Sequence, residues 1–438
     1  MTKKVLAFVL ALTTCFSMAA CNSGTPASVS SDAASDPAAS NAASEVSSES
    51  AEPVTIQFWT DSLKPTFTDF ITGLITKYQD QNKNVTVNWQ DLPDDALQNK
   101  LVTAIASDTA PDVVDSGTTL MGIMAGKGAL VALDEEASEE QRSVYLESLL
   151  KSNIVNDHLY AFPWYATPNV AIYNKDLFAK AGLTSTPKTY DELFEMSKVM
   201  KEKTGAYLLV PTKVSVILLY NNIPILTEDK TKAAFNTPEA EALLQKFVDG
   251  CKAGYINKTD WNGWDKNLQM YSTGNLAMLN TGSQSVKRIK DEAPNIYPIT
   301  AVGESMLGSN GLTYAAVESL SIPVKSKNHE EAIKFASYVT NDENELAFCK
   351  LVSIFPTTKT AAADPFFTSD TTTLEGQASA QAAKVIATSA QLTLDIDQGS
   401  AILKEVDNLF GAIISRGTPV KQALAEEEAK VNQMLAQK

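Results

Sequence analysis

The chain has 438 residues, 44% apolar and 20% charged, which is too long for one small core and excludes a chain disordered throughout. Its formal net charge is −16, and beyond residues 1–20, which hold Lys3 and Lys4 and no acid, 34 bases face 52 acids. A chain this acidic repels nucleic acid and anionic membrane surfaces, and no basic run longer than a dipeptide follows the N-terminus.

The first element is a targeting signal. Lys3-Lys4 give a positive start, and Val5 to Met18 form an apolar stretch too short to span a bilayer as a mature helix. Ala19-Ala20-Cys21 then resembles the lipobox of bacterial lipoproteins, with Met18 where such boxes prefer Leu. The resemblance implies that Cys21 becomes the first mature residue and carries a diacylglyceryl anchor on the extracytoplasmic face of the cell membrane. Leu12-Thr13-Thr14-Cys15 is a poorer site, and an ordinary secretory signal is the alternative. Residues 21–52 follow as a Ser/Ala-rich tether. Its acids are Asp32, Asp36, Glu45, Glu49 and Glu52, and the absence of bases and aromatics leaves too little apolar area to fold. As a coil it spans about 30 Å.

From residue 53 the pattern is that of a folded α/β protein. Val54, Ile56 and Phe58 alternate as a strand should, and Phe67, Phe70, Ile71, Leu74, Ile75 and Tyr78 mark a helix over 65–79. Val85, Val87 and Trp89 make a second strand. Asp94 or Asp95 caps a helix with Leu97, Leu101 and Ile105 on one face, and 111–115 is a third strand. Strands alternating with helices of this length imply βαβ units and a parallel sheet. The same grammar resumes at 169–173. A short helix ends at Gly182, and Thr189-Tyr-Asp-Glu192 is a capping box for a helix that stops at Gly205. Thr237-Pro238 opens another helix. Strands are expected at 276–280 and 319–324. Asn328-x-x-Glu331 caps the helix bearing Phe335 and Val339, Ile402 to Ile413 mark one C-terminal helix, and Thr418-Pro419 opens the last. Cys251 and Cys349, the two cysteines beyond the signal, read as buried thiols. Two α/β domains without a flexible link between them leave a cleft, the usual place for a ligand.

Several stretches resemble one family, the bacterial extracellular solute-binding proteins of family 1, which serve sugar ABC importers. Ser107-Asp-Thr-Ala-Pro-Asp-Val-Val114 looks like that family's entry to its third strand. Tyr173-Asn-Lys-Asp-Leu-Phe, Ala181-Gly-Leu183 and Pro187-x-Thr-Tyr-Asp-Glu-Leu193 form the most specific match. Gly274-Asn-Leu-Ala-Met278, Ile322-Pro-x-x-Ser-Lys-Asn328 and Pro356-Thr357 continue it in order, over nearly the whole mature domain. The resemblance implies a two-lobed periplasmic-binding-protein-like fold (type II), each lobe a mostly parallel sheet flanked by helices. The expected crossings lie near 164–168, 314–318 and 355–360. Lobe one is then 53–165 plus 318–356, and lobe two 168–314 plus 360–438. It also implies a monomer without cofactor or enzymatic activity, which delivers a carbohydrate to ABC permease subunits as the lobes close.

A sugar needs aromatic rings for its C–H faces and polar side chains for its hydroxyl rim. Trp59 and Asp61 end the first strand, and Asp115 and Ser116 the third. Trp164 and Tyr165 lie at the expected first crossing, while Trp261, Trp264 and Asp265 lie in a polar loop. Plain packing is the expected role of one or two of these four tryptophans. Gly282-Ser283-Gln284 departs from the family, whose sugar binders place Trp where Gln284 stands, and Glu318 departs from its usual small residues. With Asp61, Asp115 and Asp265, Glu318 leaves open a cationic or amino-sugar ligand, a polyamine among them. A non-transport glycan-binding lipoprotein is a further alternative. Asp115-Ser-Gly-Thr118 matches aspartic proteases, but that chemistry needs a second copy. No pair of acids stands out for glycoside hydrolysis, His158 and His329 are too scattered for zinc, and Asp395-Ile-Asp397 fails the EF-hand pattern.

Overall fold

The computed structural model describes residues 52–258 and 263–437, apart from the side chains of Asp94, Asp95 and Trp264, so the expectations on Cys21, the tether and Trp261 lie outside the described residues. The first strand, β1 (Val54–Asp61), buries Ile56 and Phe58 completely. α1 (Thr68–Gln81) returns along it with Ile71, Leu74, Ile75 and Tyr78 inward, and β2 (Val85–Leu92) pairs parallel to β1 in the register Ile56 to Val87. α2 (Asp94–Ala106) starts directly after Pro93, which puts Asp94 and Asp95 in its first turn and not at the cap. β3 (Val113–Gly117) then pairs parallel to β1 on the other side, and α3 (Thr118–Ala125) leaves from its end. The expected βαβ units are all present here.

A small hairpin, β4 (Ile154–Val155) and β5 (His158–Leu159), precedes the longest strand, β6 (Ala161–Asn174). Over its first half β6 lies antiparallel to a strand from far along the chain. Over its second half it lies antiparallel to β7 (Met278–Gly282) and β8 (Thr300–Gly303). That distant strand is β9 (Thr313–Ser321), which also pairs antiparallel with β3. β10 (Phe355–Pro356) covers the edge of β6, and β11 (Ser389–Ala390) adds to the start of β9. The main order is β10-β6-β9-β3-β1-β2. The mostly parallel expectation therefore holds for β1, β2 and β3. Around β6 the pairing is antiparallel, with β9 over 161–168 and with β7 and β8 over 169–174, and β9 is antiparallel to β3 while the short β11 lies parallel to it. Strand limits also shift. β7 begins at Met278 and β9 spans 313–321, since pairing partners and not apolar density decide where a strand starts.

Local signals give the helix ends. The Thr189 hydroxyl accepts from Glu192 N at 3.2 Å, and Gly205 closes the helix Tyr190–Thr204 at φ 80°. The reciprocal half of the box is shifted by one, since the Glu192 carboxylate takes the N–H of Lys188. Thr237 caps Pro238–Ala253 through Ala240 N. Asn328 does not cap its helix. Its amide donates to Asp112 (3.1 Å) and to the Thr55 carbonyl (3.3 Å), which ties this segment to β1. The core forms three groups. One lies around Phe58, Trp164 and Phe335, a second around Phe194, Phe247 and Leu424, and a small third around Trp59, Leu97 and Val114. Cys349 is buried and Cys251 half-buried, where burial raises its thiol to about 11.

Candidate functional site

The carboxyl ends of β1 and β3 lie side by side, and β9 brings Glu318 opposite Gly117. The loop after β1 is pinned by Asp91, whose carboxylate accepts from the Thr60 hydroxyl (2.7 Å), Leu63 N (2.9 Å) and Lys64 N (2.9 Å). Asp61 is held in turn, its N–H donating to Asp115 Oδ2 at 3.2 Å. Asp115 and Gly117 share one face of β3. A Cβ on Gly117 would lie 3.3 Å from Glu318 Oε1, so the missing side chain leaves room for the Glu318 carboxylate. Glu318 thus shares the face of Asp115, and Asp61 and Asp91 lie near enough to act on it. Asp115 is fully buried, and its Oδ1 has no hydrogen-bond partner among the described residues. Burial, then the charge of Glu318, push its carboxyl well above the usual range, with Asp61 and Asp91 adding to the push and the Asp61 N–H opposing it. Half-buried Tyr165, paired to Glu318 in the sheet, has its hydroxyl pushed up by burial and then by Asp115 and Glu318.

Beside this cluster is a hollow of about 220 Å³, walled by Asp61, Gln98, Ser116, Thr119, Ile123 and Glu318 among others. A second, of about 250 Å³, opens at the end of β7 among Thr212, Asn267, Asn280, Thr281 and the apolar Val210 and Met278. In it the buried amide oxygens of Asn267 and Asn280 lack a partner among the described residues. A third hollow, about 970 Å³, shares Ile123 with the first and is rimmed by Lys127, Asp157, Lys230 and Asp397. Its charged rim is largely spoken for: Asp395 pairs with Lys230 and accepts from Asp157 N (3.0 Å), while Asp397 accepts from the Asn156 amide.

A family model described as bacterial extracellular solute-binding protein matches residues 73–375, well over half the chain. The chain belongs to the bacterial extracellular solute-binding proteins. It is 26% identical over 282 residues to the galactooligosaccharide-binding protein of Bacillus subtilis, covering 59% of this chain and 62% of that one. Among solved structures, a periplasmic-binding protein from Synechococcus superposes with a TM-score of 0.79 at 24% identity, covering 87% of this chain and 99% of that one. The sugar-binding protein MalE of Xanthomonas citri superposes at 0.73 with 21% identity, over 87% and 98%. These likenesses give the fold, α/β and of the two-lobed periplasmic-binding type.

In this solute-binding protein two of the four tryptophans weighed for the cleft are buried. Trp164 is fully buried. It stacks on Phe348 (centroids 4.8 Å apart, planes at 17°) and touches Phe58, in a core and not on an open face. The register of β6 shifts between Pro163 and Tyr165, and this bulge turns Trp164 inward. Trp59 is buried against Leu97 and Val114, with the Lys100 ammonium 4.1 Å from its ring centre. Both are buried in packed surroundings, and the Trp164 Nε1 has no hydrogen-bond partner among the described residues. Trp89 lies within β2, opposite Phe58, donating to the Thr60 hydroxyl at 2.8 Å. Asp265, highly exposed, lies in the first turn of the helix Trp264–Ser272 and faces Arg288 at 3.5 Å. Gly282 pairs with Asn169, and the Ser283 hydroxyl donates to the Ser353 carbonyl, so Ser283 ties down the turn. The buried Gln284 Oε1 lacks a partner among the described residues. His158 is taken up by Asp134 at 2.9 Å, and His329 by Glu136 at 3.3 Å. Sequence reasoning missed Asp91, Asn267 and Asn280. Asn280 carried a signal, lying at the end of a strand just before the Thr281-Gly282-Ser283 turn.

Proposed function

We propose that this solute-binding protein captures a carbohydrate between two lobes and hands it to the membrane permease of an ABC importer, with no catalytic step of its own. The observation that carries the reading is the character of the unsatisfied atoms. Most of these buried atoms among the described residues are oxygens, Trp164 Nε1 and His329 Nε2 being the nitrogens, and Asn267 Oδ1 and Asn280 Oδ1 lie in the second hollow. Buried acceptors without donors cost about 1–3 kcal/mol each, and a ligand rich in hydroxyl donors recovers that cost. Apolar Val210 and Met278 beside them suit the C–H face of a sugar. The relatives point the same way, with a galactooligosaccharide-binding protein and a diacetylchitobiose-binding protein of Streptomyces coelicolor among them.

The lobes we assign are 53–165 plus 318–356 and 168–314 plus 360–438. The division is supported by β6, which pairs with β9 over 161–168 and with β7 and β8 over 169–174. Each of the two smaller hollows falls below the roughly 300–1,000 Å³ of a complete ligand site, which suits two half-sites that face each other. Closure is then driven by contacts that exist only when both lobes touch the ligand. Cys21 is assigned as a lipid anchor and the protein as a monomer on the outer face of the cell membrane. Labelled fatty acid should enter the wild-type chain and not Cys21→Ala.

The test of function is a thermal-shift screen of residues 52–438, a self-contained unit, against mono- and oligosaccharides. A true ligand at a hundredfold excess over its Kd adds about 2.7 kcal/mol of stability. No shift with any carbohydrate, at millimolar concentration, would remove the sugar reading.

A further inference from the structure

We propose that the ligand is an acetamido sugar, whose N-acetyl group is held by Asn280 and Thr212. This rests on the carbohydrate reading above and narrows it. In the ladder of β6 and β7, Asn280 lies opposite Ala171 and Asn169 lies opposite Gly282. Side chains two apart on a strand share a face, so both asparagines stand on one face of this pair. Asn280 and Thr212 wall the second hollow, of about 250 Å³. They also wall a side hollow of about 50 Å³ that adjoins it, and Asn169 lines that one too. The side hollow has room for a few atoms and not for a sugar ring. Its polar walls are Asn169, Tyr190, Thr212 and Asn280, and the others, Leu193 and Met306 among them, are apolar. No charged side chain among the described residues lines either hollow, in a chain with 52 acids and 36 bases. The group bound there is therefore neutral, since an ion would be buried without a counter-charge.

The pointer to a ligand is the buried Asn280 Oδ1. It lacks a hydrogen-bond donor among the described residues, and its residue walls both hollows. An asparagine amide carries an acceptor and two donors, and a hydroxyl such as that of Thr212 serves as either. The group that matches this lining has to offer a donor, an acceptor and a small apolar end. An acetamido group offers all three. Its N–H donates to Asn280 Oδ1, its carbonyl accepts from the Thr212 hydroxyl, and its methyl enters the apolar part of the side hollow. Burial pushes the Tyr190 hydroxyl up, so it stays a donor at the same wall. A sugar hydroxyl meets the need of Asn280 but leaves the apolar walls empty, and an amine would bring an unmatched charge. Asn267 Oδ1, also without a donor among the described residues, is left for a ring hydroxyl in the second hollow.

A rank order of affinities tests this. The acetamido form of a sugar should bind about tenfold tighter than the same sugar with a hydroxyl at that position, the joint effect of one buried methyl and one added hydrogen bond. The amine form should bind weakest of the three. The experiment is isothermal titration of residues 52–438 with N-acetylglucosamine, N-acetylgalactosamine and the β-1,4-linked N-acetylglucosamine dimer, each beside its hydroxyl and amine counterparts. Trialanine is added as an amide that is not a sugar. Two variants locate the preference, both checked for folding by their unliganded melting curves. Asn280→Leu removes the amide, and Val210→Leu extends a side chain that walls both hollows. Each should cut the preference for the acetamido form severalfold. A preference unchanged in both folded variants would overturn the assignment to this wall. Equal or tighter binding of the hydroxyl or amine counterparts would overturn the acetamido site and leave the carbohydrate reading standing. Binding of trialanine without any sugar would uphold an amide site and overturn the carbohydrate reading. Failure of every sugar and of trialanine at millimolar concentration would overturn both.

Discussion

The Thr357 hydroxyl has one hydrogen and two acceptors in reach, the Pro163 carbonyl at 2.8 Å and Glu345 Oε1 at 2.7 Å. The other oxygen of Glu345 accepts from the N–H groups of Thr357 (2.7 Å) and Thr358 (3.0 Å). All these atoms are satisfied at once only if Glu345 is protonated and donates to Thr357, which in turn donates to Pro163. Burial raises the Glu345 carboxyl well above its ordinary 4.5, more than the surrounding hydrogen bonds lower it, which agrees with the count. Glu345→Gln can copy the pattern and should change stability by less than about 1 kcal/mol, while Glu345→Ala orphans two N–H groups and should cost about 2–5 kcal/mol. The sign with pH follows. A carboxyl with a raised folded pKa contributes its stability fully below the unfolded value near 4.5, and that part is lost as pH rises through the folded value. Urea unfolding of wild type and Glu345→Gln across that range should show a slope in the first that is missing in the second. Trp164 gives a second test at this scale. As a packing residue, Trp164→Ala should cost about 3–5 kcal/mol, yet Trp164→Phe should leave ligand affinity within about twofold of wild type. A large loss of affinity in a folded Trp164→Phe would return the ring to the binding site.

At the scale of elements, legibility followed the range of the interactions. Thr189, Thr237-Pro238, Gly182 and Gly205 end helices through contacts a few residues away, so the sequence displays them. Asp91 grips Thr60 and Leu63 from 31 and 28 residues away, and Asn328 reaches 273 residues to Thr55. No local pattern announces either. The same holds for β9, whose partners β3 and β6 lie far upstream, and for the inward turn of Trp164, which a bulge decides. The strand ends that gather Asp61, Asp115 and Ser116 were legible because alternation locates them; which aromatic rings stay open was not. Two glycines test the packing. Gly73 lies exposed within α1, and a Cβ added there would meet nothing within 4 Å, so Gly73→Ala should stabilise by about 0.5–1 kcal/mol. Gly126, just past α3, would put a Cβ 2.1 Å from the Asp397 carbonyl oxygen, and Gly126→Ala should cost about 1–3 kcal/mol as the two backbones are forced apart. Melting temperatures of the pair should move in opposite directions.

Across the whole molecule, the edge where Gly126 meets Asp397 joins the two lobes as we divide them. The turn Asn156-Asp157, both residues at positive φ (52° and 64°), reaches from one side to Asp397 and Asp395 on the other, and Lys230 reinforces Asp395. Gly122 and Gly126 let α3 approach the segment Asp397–Ser400 closely. These contacts favour the arrangement in which the edge is shut, and a ligand that needs it shut binds in proportion to the fraction of molecules already so arranged. The ion pair is partly exposed, worth about 0–1 kcal/mol, and the hydrogen bond from Asp157 N adds about 0.5–1.5 kcal/mol. Asp395→Ala should therefore weaken ligand binding by about two- to sixtyfold, while the unliganded protein, measured by small-angle scattering, gains in radius of gyration. Ligand at saturation should restore the wild-type radius, because its contacts replace the lost ones. An unchanged radius and affinity in a folded Asp395→Ala would mean that the edge belongs to one rigid body, and the lobe boundary would have to be drawn elsewhere, with Asn156 and Asp395 on the same side of it.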